Sequence, residues 1–122
     1  MNFSFKCYYI SREQKNWTES QQYCRDRGAD LVIIETKEEQ EFLEAFKRKF
    51  WIGLTDAETE RTWKWVDGAT LSAGFWKSGE PNNANSGEDC ACLESKDNQM
   101  NAWNDLPCNN MQNWICETTT CQ

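Results

Sequence analysis

Seven cysteines in a chain of 122 residues constrain the fold more than any other feature of the sequence. In a small domain this density is typical of disulfide bonds formed in an oxidising compartment. A zinc site explains the cysteines less well, because the chain has no histidine and the close pair Cys90 and Cys92 has no second close pair to complete a four-sulfur site. The odd number leaves at least one cysteine without a partner in the same chain.

The length and charge of the chain argue against several functions. The length suits a single core, so we expect one compact domain over residues 1–122. No apolar run approaches the roughly 20 residues that cross a bilayer. Residues 1–6 do not resemble a signal peptide, and this start is compatible with a leader or a membrane anchor upstream of Met1. A net charge of −7 disfavours nucleic acid and anionic membranes as partners. The acidic residues either solvate the surface or cluster around a cation.

Capping and hydrophobic patterns predict two helices in the first half of the chain. The first should begin at Thr18, which forms a capping pattern with Gln21, and should end near Gly28. The second should begin at Thr36 through a capping box with Glu39. The predicted apolar face of the second helix consists of Phe42, Leu43, Phe46 and Phe50.

Short runs of β-forming residues predict strands at residues 7–10, 51–54, 62–66, 90–93 and 114–116. Residues 67–89 contain four of the six glycines and no regular pattern, which indicates a long loop. A long loop in a small domain is usually either functional or disordered, and Trp76, Pro81 and Cys90 argue against disorder. Two helices followed mainly by strands predict an α+β domain.

Oxygen-bearing side chains are dense within this loop and just after it. They are Glu80, Asn82, Asn83, Glu88, Asp89, Asn104 and Asp105. Calcium takes about six to eight oxygen ligands from carboxylates, amides and carbonyls, so the set suits calcium better than a softer metal. Since no EF-hand pattern is present, the fold must bring the ligands together from separate segments.

A glutamate and an asparagine on one calcium ion suit two adjacent sugar hydroxyls. Each hydroxyl can bind the metal, donate to the carboxylate and accept from the amide NH2. Glu80-Pro81-Asn82 offers one such pair, and Glu88 with Asn104 offers a second. The alternative is that these residues merely form turns in a surface loop, and the residue types alone do not decide between the two.

Five motifs in a fixed order resemble the C-type lectin carbohydrate-recognition domain. They are Trp51-Ile52-Gly53-Leu54, Glu80-Pro81-Asn82, Gly87-Glu88-Asp89-Cys90, Trp103-Asn104-Asp105 and Pro107-Cys108, followed by Cys116. The resemblance covers nearly the whole chain and is strongest to the mannose-type members, which include dendritic-cell and macrophage type II receptors and mannose-binding protein. It implies the C-type lectin fold, with two helices, two small antiparallel sheets, a long calcium-binding loop region and disulfide bonds.

The resemblance also implies the roles of individual residues. The principal calcium and the two sugar hydroxyls would be bound by Glu80, Asn82, Glu88, Asn104 and Asp105. A second calcium would be bound by Asp56, Glu60, Asn83, the backbone of Glu88, and Asp89. The Glu-Pro-Asn sequence is associated in this family with mannose, fucose and N-acetylglucosamine, whereas galactose-selective members carry Gln and Asp at the same two positions. Asn83 replaces an aspartate of some members, which would weaken the second site.

The implied function is calcium-dependent binding of mannose- or fucose-bearing glycans on glycoproteins or microbial surfaces, in innate immune or cell-surface recognition. One shallow contact with two hydroxyls binds weakly, so we expect several domains to act together. The protein would be extracellular, either secreted or as the ectodomain of a type II membrane protein.

Disulfide pairing follows from the resemblance for four of the cysteines. The implied bridges are Cys24–Cys116 and Cys90–Cys108. Cys7 and Cys121 either bridge each other or stay free in the absence of upstream partners. In a strand over residues 90–93, Cys92 points away from Ala91 and Leu93, and we predict that it is free or pairs between chains.

The seven tryptophans suggest a platform for sugar stacking, but most occupy strand or motif positions that are typical of core packing. Those expected in the core are Trp51, Trp65, Trp76, Trp103 and Trp114.

Two other classes of function remain to be weighed. Clustered acids can hydrolyse glycosides, but here each acid already serves as a metal ligand and no nucleophile with a base is present, so we expect no catalysis. A related domain that binds protein or ice without calcium is the second alternative. Such domains commonly lose the metal ligands, whereas this chain keeps all five.

Overall fold

The computed structural model describes residues 6–46, 48–58, 62–71, 89–94 and 103–119. The elements are β1 (Cys7–Ile10), α1 (Trp17–Asp26), β2 (Asp30–Leu31), α2 (Lys37–Glu44), β3 (Lys49–Thr55), β4 (Lys64–Trp65), β5 (Cys90–Glu94), β6 (Trp103–Leu106) and β7 (Asn113–Thr118). Within these residues, no helix has the length and apolar character that crossing a membrane requires.

The seven strands form one connected sheet with the order β1-β7-β3-β5-β6, to which β2 is added on β7 and β4 on β3. All pairings are antiparallel except that between β3 and β7, where Phe50 and Trp51 lie opposite Asn113 and Trp114. The two antiparallel groups expected from the sequence are therefore joined by a short parallel pairing. The β5–β6 ribbon lies at the end of the sheet farthest from β1.

The first helix starts earlier than the sequence pattern predicted. Asn16, not Thr18, is the N-cap, and its side-chain oxygen accepts from the backbone N–H of Glu19 at 2.8 Å. The expected end is confirmed, because Gly28 has a φ of +73° and thus lies in the left-handed region that ends a helix at low cost.

The second helix starts as predicted. The Thr36 hydroxyl oxygen accepts from the backbone N–H of Glu39 at 3.0 Å, while Oε1 of Glu39 accepts from the backbone N–H of Glu35 at 2.9 Å. The Glu39 side chain has no exposed surface. Glu39 therefore takes part in the cap and also places its carboxylate in the interior.

The predicted apolar face of the second helix extends too far. The helix ends at Glu44, and Phe50 belongs to β3, where it is fully buried. Of the predicted apolar residues within or beside the helix, Leu43 is buried, whereas Phe42 and the nearby Phe46 are 40% and 39% exposed. The regular spacing of these aromatic residues misled the sequence-based prediction, because pairing with β5 and β7 draws Phe50 into the sheet.

Buried residues form two clusters on the two faces of the sheet. The larger contains Val32, Ile33, Ile34, Leu43, Phe50, Ile52, Leu54, Trp63, Trp65, Ala91, Leu93, Trp103 and Ile115. The smaller contains Cys24, Leu31, Trp51, Cys90, Cys92, Trp114 and Cys116. Four of the five tryptophans expected in the core are buried there, and Trp76 lies outside the described residues.

Two described disulfides connect the elements in the pairings that the resemblance implied. Cys24 of α1 is bonded to Cys116 of β7, and Cys90 of β5 is bonded to Cys108 after β6. In the chain-entropy model, closing loops of these lengths stabilises the fold by about 3–5 kcal/mol each. Cys7 is disulfide-bonded as well, whereas Cys121 lies outside the described residues.

Alternation along β5 places Cys92 on the face opposite to Ala91 and Leu93, as predicted. Cys92 is a thiol with no exposed surface. Its pairing between chains stays a prediction.

Candidate functional site

Strand β6 carries two of the five residues that were predicted to bind the principal calcium. Asn104 and Asp105 lie opposite Cys92 and Ala91 in the β5–β6 ladder. The Asp105 side chain is fully buried, which is unusual for a carboxylate in a small domain. Asn104 is half-buried.

The Asn104 amide contacts a residue that the sequence analysis did not select. Its Nδ2 donates to Oε2 of Glu94 across a long 3.5 Å, and the same oxygen lies 3.0 Å from Nζ of Lys49. The pairing of the strands explains this contact. Cys92 lies opposite Asn104, so Glu94, two residues farther along β5, lies diagonally across the strands from Asn104. Glu94 therefore orients the amide on β6.

A second pair of predicted ligands meets where β3 ends and β5 begins. The backbone carbonyl of Asp89 accepts from the backbone N–H of Asp56 at 3.0 Å and from the Thr55 hydroxyl. The Asp56 side chain is 2% exposed. Oδ1 of Asp89 is buried and has no hydrogen-bond partner among the described residues.

An ionised carboxylate oxygen that is buried without a donor is costly, and a cation compensates it well. The orphaned oxygen of Asp89 therefore fits a metal ligand. The chemistry of the whole set agrees, because the ligands are oxygens and the chain has no histidine that would favour a softer metal.

The sheet register places both pairs at the same end of the fold. Thr55, Cys90 and Leu106 are aligned across β3, β5 and β6. Three carboxylate residues are each adjacent in sequence to one member of this row, namely Asp56, Asp89 and Asp105. The bond between Cys90 and Cys108 ties β5 to the segment just after β6 at this end of the sheet.

The other five predicted ligands are not among the described residues. Glu60, Glu80, Asn82, Asn83 and Glu88 lie outside the described residues. Among the residues that are described, no group of three or more His, Cys, Asp or Glu side chains is arranged to hold a metal ion. Asp56, Asp89 and Asp105, which lie at one end of the sheet, are thus the described carboxylates of the predicted calcium-binding region.

Comparison with protein families gives an independent line of evidence. The model of the lectin C-type domain matches residues 13–118. A relative in Mus musculus, C-type lectin domain family 4 member E, is 46% identical over 121 residues, which cover 95% of this chain and 56% of that protein. The chain therefore spans about half the length of this relative.

Solved structures with the same fold include two mouse lectin domains. The carbohydrate-recognition domain of the mouse scavenger receptor C-type lectin superimposes with a TM-score of 0.87 and 39% identity, covering 97% of this chain and 93% of that one. The C-type lectin domain of murine dendritic cell inhibitory receptor 2, solved in complex with N-glycan, superimposes with a TM-score of 0.82 and 34% identity, covering 97% and 94%.

Proposed function

The chain belongs to the C-type lectin domain family, and from this premise we propose that it binds glycans that carry mannose, fucose or N-acetylglucosamine, in a calcium-dependent manner. The observation that carries the proposal is the set of carboxylates beside the row formed by Thr55, Cys90 and Leu106. Membership of a carbohydrate-binding family also agrees with the expectation that the chain is not an enzyme.

In this proposal, Glu80, Asn82, Glu88, Asn104 and Asp105 bind the principal calcium. The ion, when bound, supplies coordination positions for two adjacent sugar hydroxyls. The carboxylates then accept hydrogen bonds from those hydroxyls, and the asparagine amides donate to them. The contact between Asn104 and Glu94 supports this role, because it holds the amide before a ligand arrives.

The proposed second calcium is bound by Asp56, Glu60, Asn83, the backbone of Glu88, and Asp89. Its main support is the buried Oδ1 of Asp89, which needs a positive partner. A second ion between the β3 end and the loop would neutralise buried acids that lie near the principal site. It would act on sugar binding through the loop and not through direct contact.

We further propose that residues 1–122 form one extracellular carbohydrate-recognition domain of a longer protein, either secreted or anchored as a type II membrane protein. The match of the family model to residues 13–118 supports the assignment of one carbohydrate-recognition domain. Avidity for glycoproteins or microbial surfaces would then come from several such domains, since one site that contacts two hydroxyls binds weakly. The solved relative in complex with N-glycan is consistent with a glycan of that class.

The sugar preference gives the sharpest test of the proposed residues. Glu80→Gln combined with Asn82→Asp exchanges the acceptor and donor positions while the net charge stays constant. We expect binding to shift from mannose towards galactose in competition assays on immobilised glycans. A matched control is Glu41→Gln with Asn109→Asp, which makes the same changes at exposed positions outside the proposed ligand set. An unchanged sugar profile in the first variant would contradict the assignment of Glu80 and Asn82.

A further inference from the structure

A cleft of about 330 Å³ lies between α1 and the ribbon formed by β3 and β4, outside the residues proposed to bind calcium. Its walls include Trp17, Gln21, Thr55, Lys64, Trp65 and Val66. This volume is at the lower end of the range of about 300–1,000 Å³ that is typical of small-molecule sites.

The α1 side of the cleft is fixed by hydrogen bonds to the sheet side. The Trp17 indole N–H donates to the backbone carbonyl of Ile52 at 2.9 Å. The Gln21 side-chain carbonyl accepts from the backbone N–H of Leu31 at 2.9 Å. Because these contacts hold the helix at a set distance from the sheet, the cleft exists before any ligand binds.

The opposite wall is fixed by close packing. A side chain at Gly53 would bring its Cβ within 2.8 Å of the Leu31 carbonyl oxygen and 3.1 Å of a Val66 methyl carbon. The Val66 backbone N–H donates to the Gly53 carbonyl at 2.9 Å. The ribbon can approach β2 this closely only because residue 53 is glycine, so the wall leaves little freedom for the cleft to collapse.

The charges at the cleft cancel. Nζ of Lys64 lies 3.1 Å from Oε1 of Glu58, whose side chain is 80% exposed. The ammonium group has three donors and the carboxylate several acceptor positions, so both keep capacity for a ligand. A neutral ligand with many hydroxyls matches this pair better than an anion, which Glu58 would repel.

The aromatic residues add the apolar part of the site. Trp17 is half-buried, and Trp65 of β4 lines the cleft with the 8% of its surface that stays exposed. Sugars combine hydroxyl groups with an apolar ring face, so a wall with indole carbon atoms and a paired lysine and glutamate provides both kinds of contact.

We propose that this cleft is a second saccharide-binding site, which takes one neutral monosaccharide unit and needs no calcium. The site uses none of the residues proposed to bind the two calcium ions. Thr55 is the structural link between the regions, because it lines the cleft and its hydroxyl donates to the backbone carbonyl of Asp89. A glycan could thus be held at two places on one domain.

The test is a nuclear magnetic resonance titration of the whole chain with methyl α-D-mannopyranoside, first in calcium and then in excess chelator. We expect saturable shifts of the backbone amides of Gln21, Val66 and Gly68 that persist in chelator. Glycerol at equal concentration should not shift them. Their absence in chelator, or equal shifts with glycerol, would overturn the proposal. If the proposed calcium-dependent function is wrong, a different measurement shows it, because the chain then shows no calcium-dependent binding to mannan.

A variant pair separates specific contact from general effects. Lys64→Met keeps the aliphatic stem and removes the ammonium group, so the affinity of the cleft should fall about fivefold, as for the loss of one hydrogen bond. Lys37→Met makes the same change at an exposed position on α2 and should leave the affinity unchanged. Thermal unfolding of both variants checks that the fold is intact. Equal affinities for the two variants would contradict a role for the cleft.

Discussion

The indole N–H of Trp103 donates to the side-chain carbonyl of Gln40 across 2.9 Å, although 63 residues separate them in the sequence. Both side chains have no exposed surface. Trp103 immediately precedes Asn104 and Asp105, which are two of the proposed calcium ligands. The second helix therefore fixes the start of the strand that carries part of the site.

Gln40→Met tests this connection. The change removes the acceptor of the indole bond in a buried position, so we expect the free energy of unfolding to fall by about 1–3 kcal/mol in urea titrations. Calcium affinity should fall as well, because β6 loses a constraint beside its ligands. Gln22→Met on the exposed side of α1 is the control and should cost less than about 0.5 kcal/mol. Equal stability of the two variants would rule out the connection.

A buried ion cluster joins the start of the described chain to α2 and β7. Nζ of Lys6 lies 2.9 Å from the Ile33 carbonyl, 3.0 Å from Oε2 of Glu39 and 3.0 Å from Oε1 of Glu117. The Tyr8 hydroxyl also donates to Oε2 of Glu39, at 2.6 Å. The buried Glu39 carboxylate therefore accepts from three donors, the Lys6 ammonium, the Tyr8 hydroxyl and the Glu35 N–H, of which Lys6 is the charged one.

Lys6→Met removes the positive charge and leaves the buried carboxylates. We expect a loss of about 3 kcal/mol in the free energy of unfolding, because breaking one partner of a buried pair strands the other charge. The control is Arg25→Met, which breaks an ion pair with Asp30 at the surface and should cost less than about 1 kcal/mol. Denaturant titrations of both variants would contradict this account if the two losses were equal.

Glu117 gives the fold a defined pH dependence. Burial raises its pKa from 4.5 to about 6, although the Ile33 N–H and Lys6 act in the opposite direction. The folded state therefore binds this proton more readily than the unfolded state. The resulting contribution to stability is full below pH 4.5 and is lost as the pH rises through about 6.

The difference in unfolding free energy between the natural chain and Glu117→Gln isolates this effect. Lowering the pH from 7 to 4 should raise the unfolding free energy of the natural chain by about 2 kcal/mol relative to that of Glu117→Gln. The titration is done in chelator, so that metal binding does not contribute. Parallel pH profiles for the two proteins would show that Glu117 has no raised pKa.

Local patterns in the sequence were sufficient for part of the fold. Thr36 with Glu39 located the second helix, and alternation in residues 90–93 assigned Cys92 to the face of the sheet away from Ala91 and Leu93. These features depend on neighbours within a few residues. The disulfide pairings and the site at the end of the sheet came from the family resemblance, since no local rule connects Cys24 with Cys116.

The errors arose where distant contacts decided the outcome. Asn16 and Thr18 both suit an N-cap, and the helix includes Trp17 because its indole donates to Ile52 in β3. The strand at Trp103–Leu106 was not predicted, since asparagine and aspartate are rare in strands. Pairing with β5 compensates for that low propensity. Most of the proposed calcium ligands come from the loop, so their positions are inferred from the family motif.

The central claim is that one calcium ion connects this chain to its sugar, and retention on immobilised mannan tests it most directly. The natural chain should be retained in millimolar calcium and released by chelator. Asp105→Asn should weaken calcium binding at least about tenfold, because the ligand charge sets the affinity, and retention should fall accordingly. Retention that is as strong in chelator as in calcium, or that is unchanged by Asp105→Asn, would contradict the account.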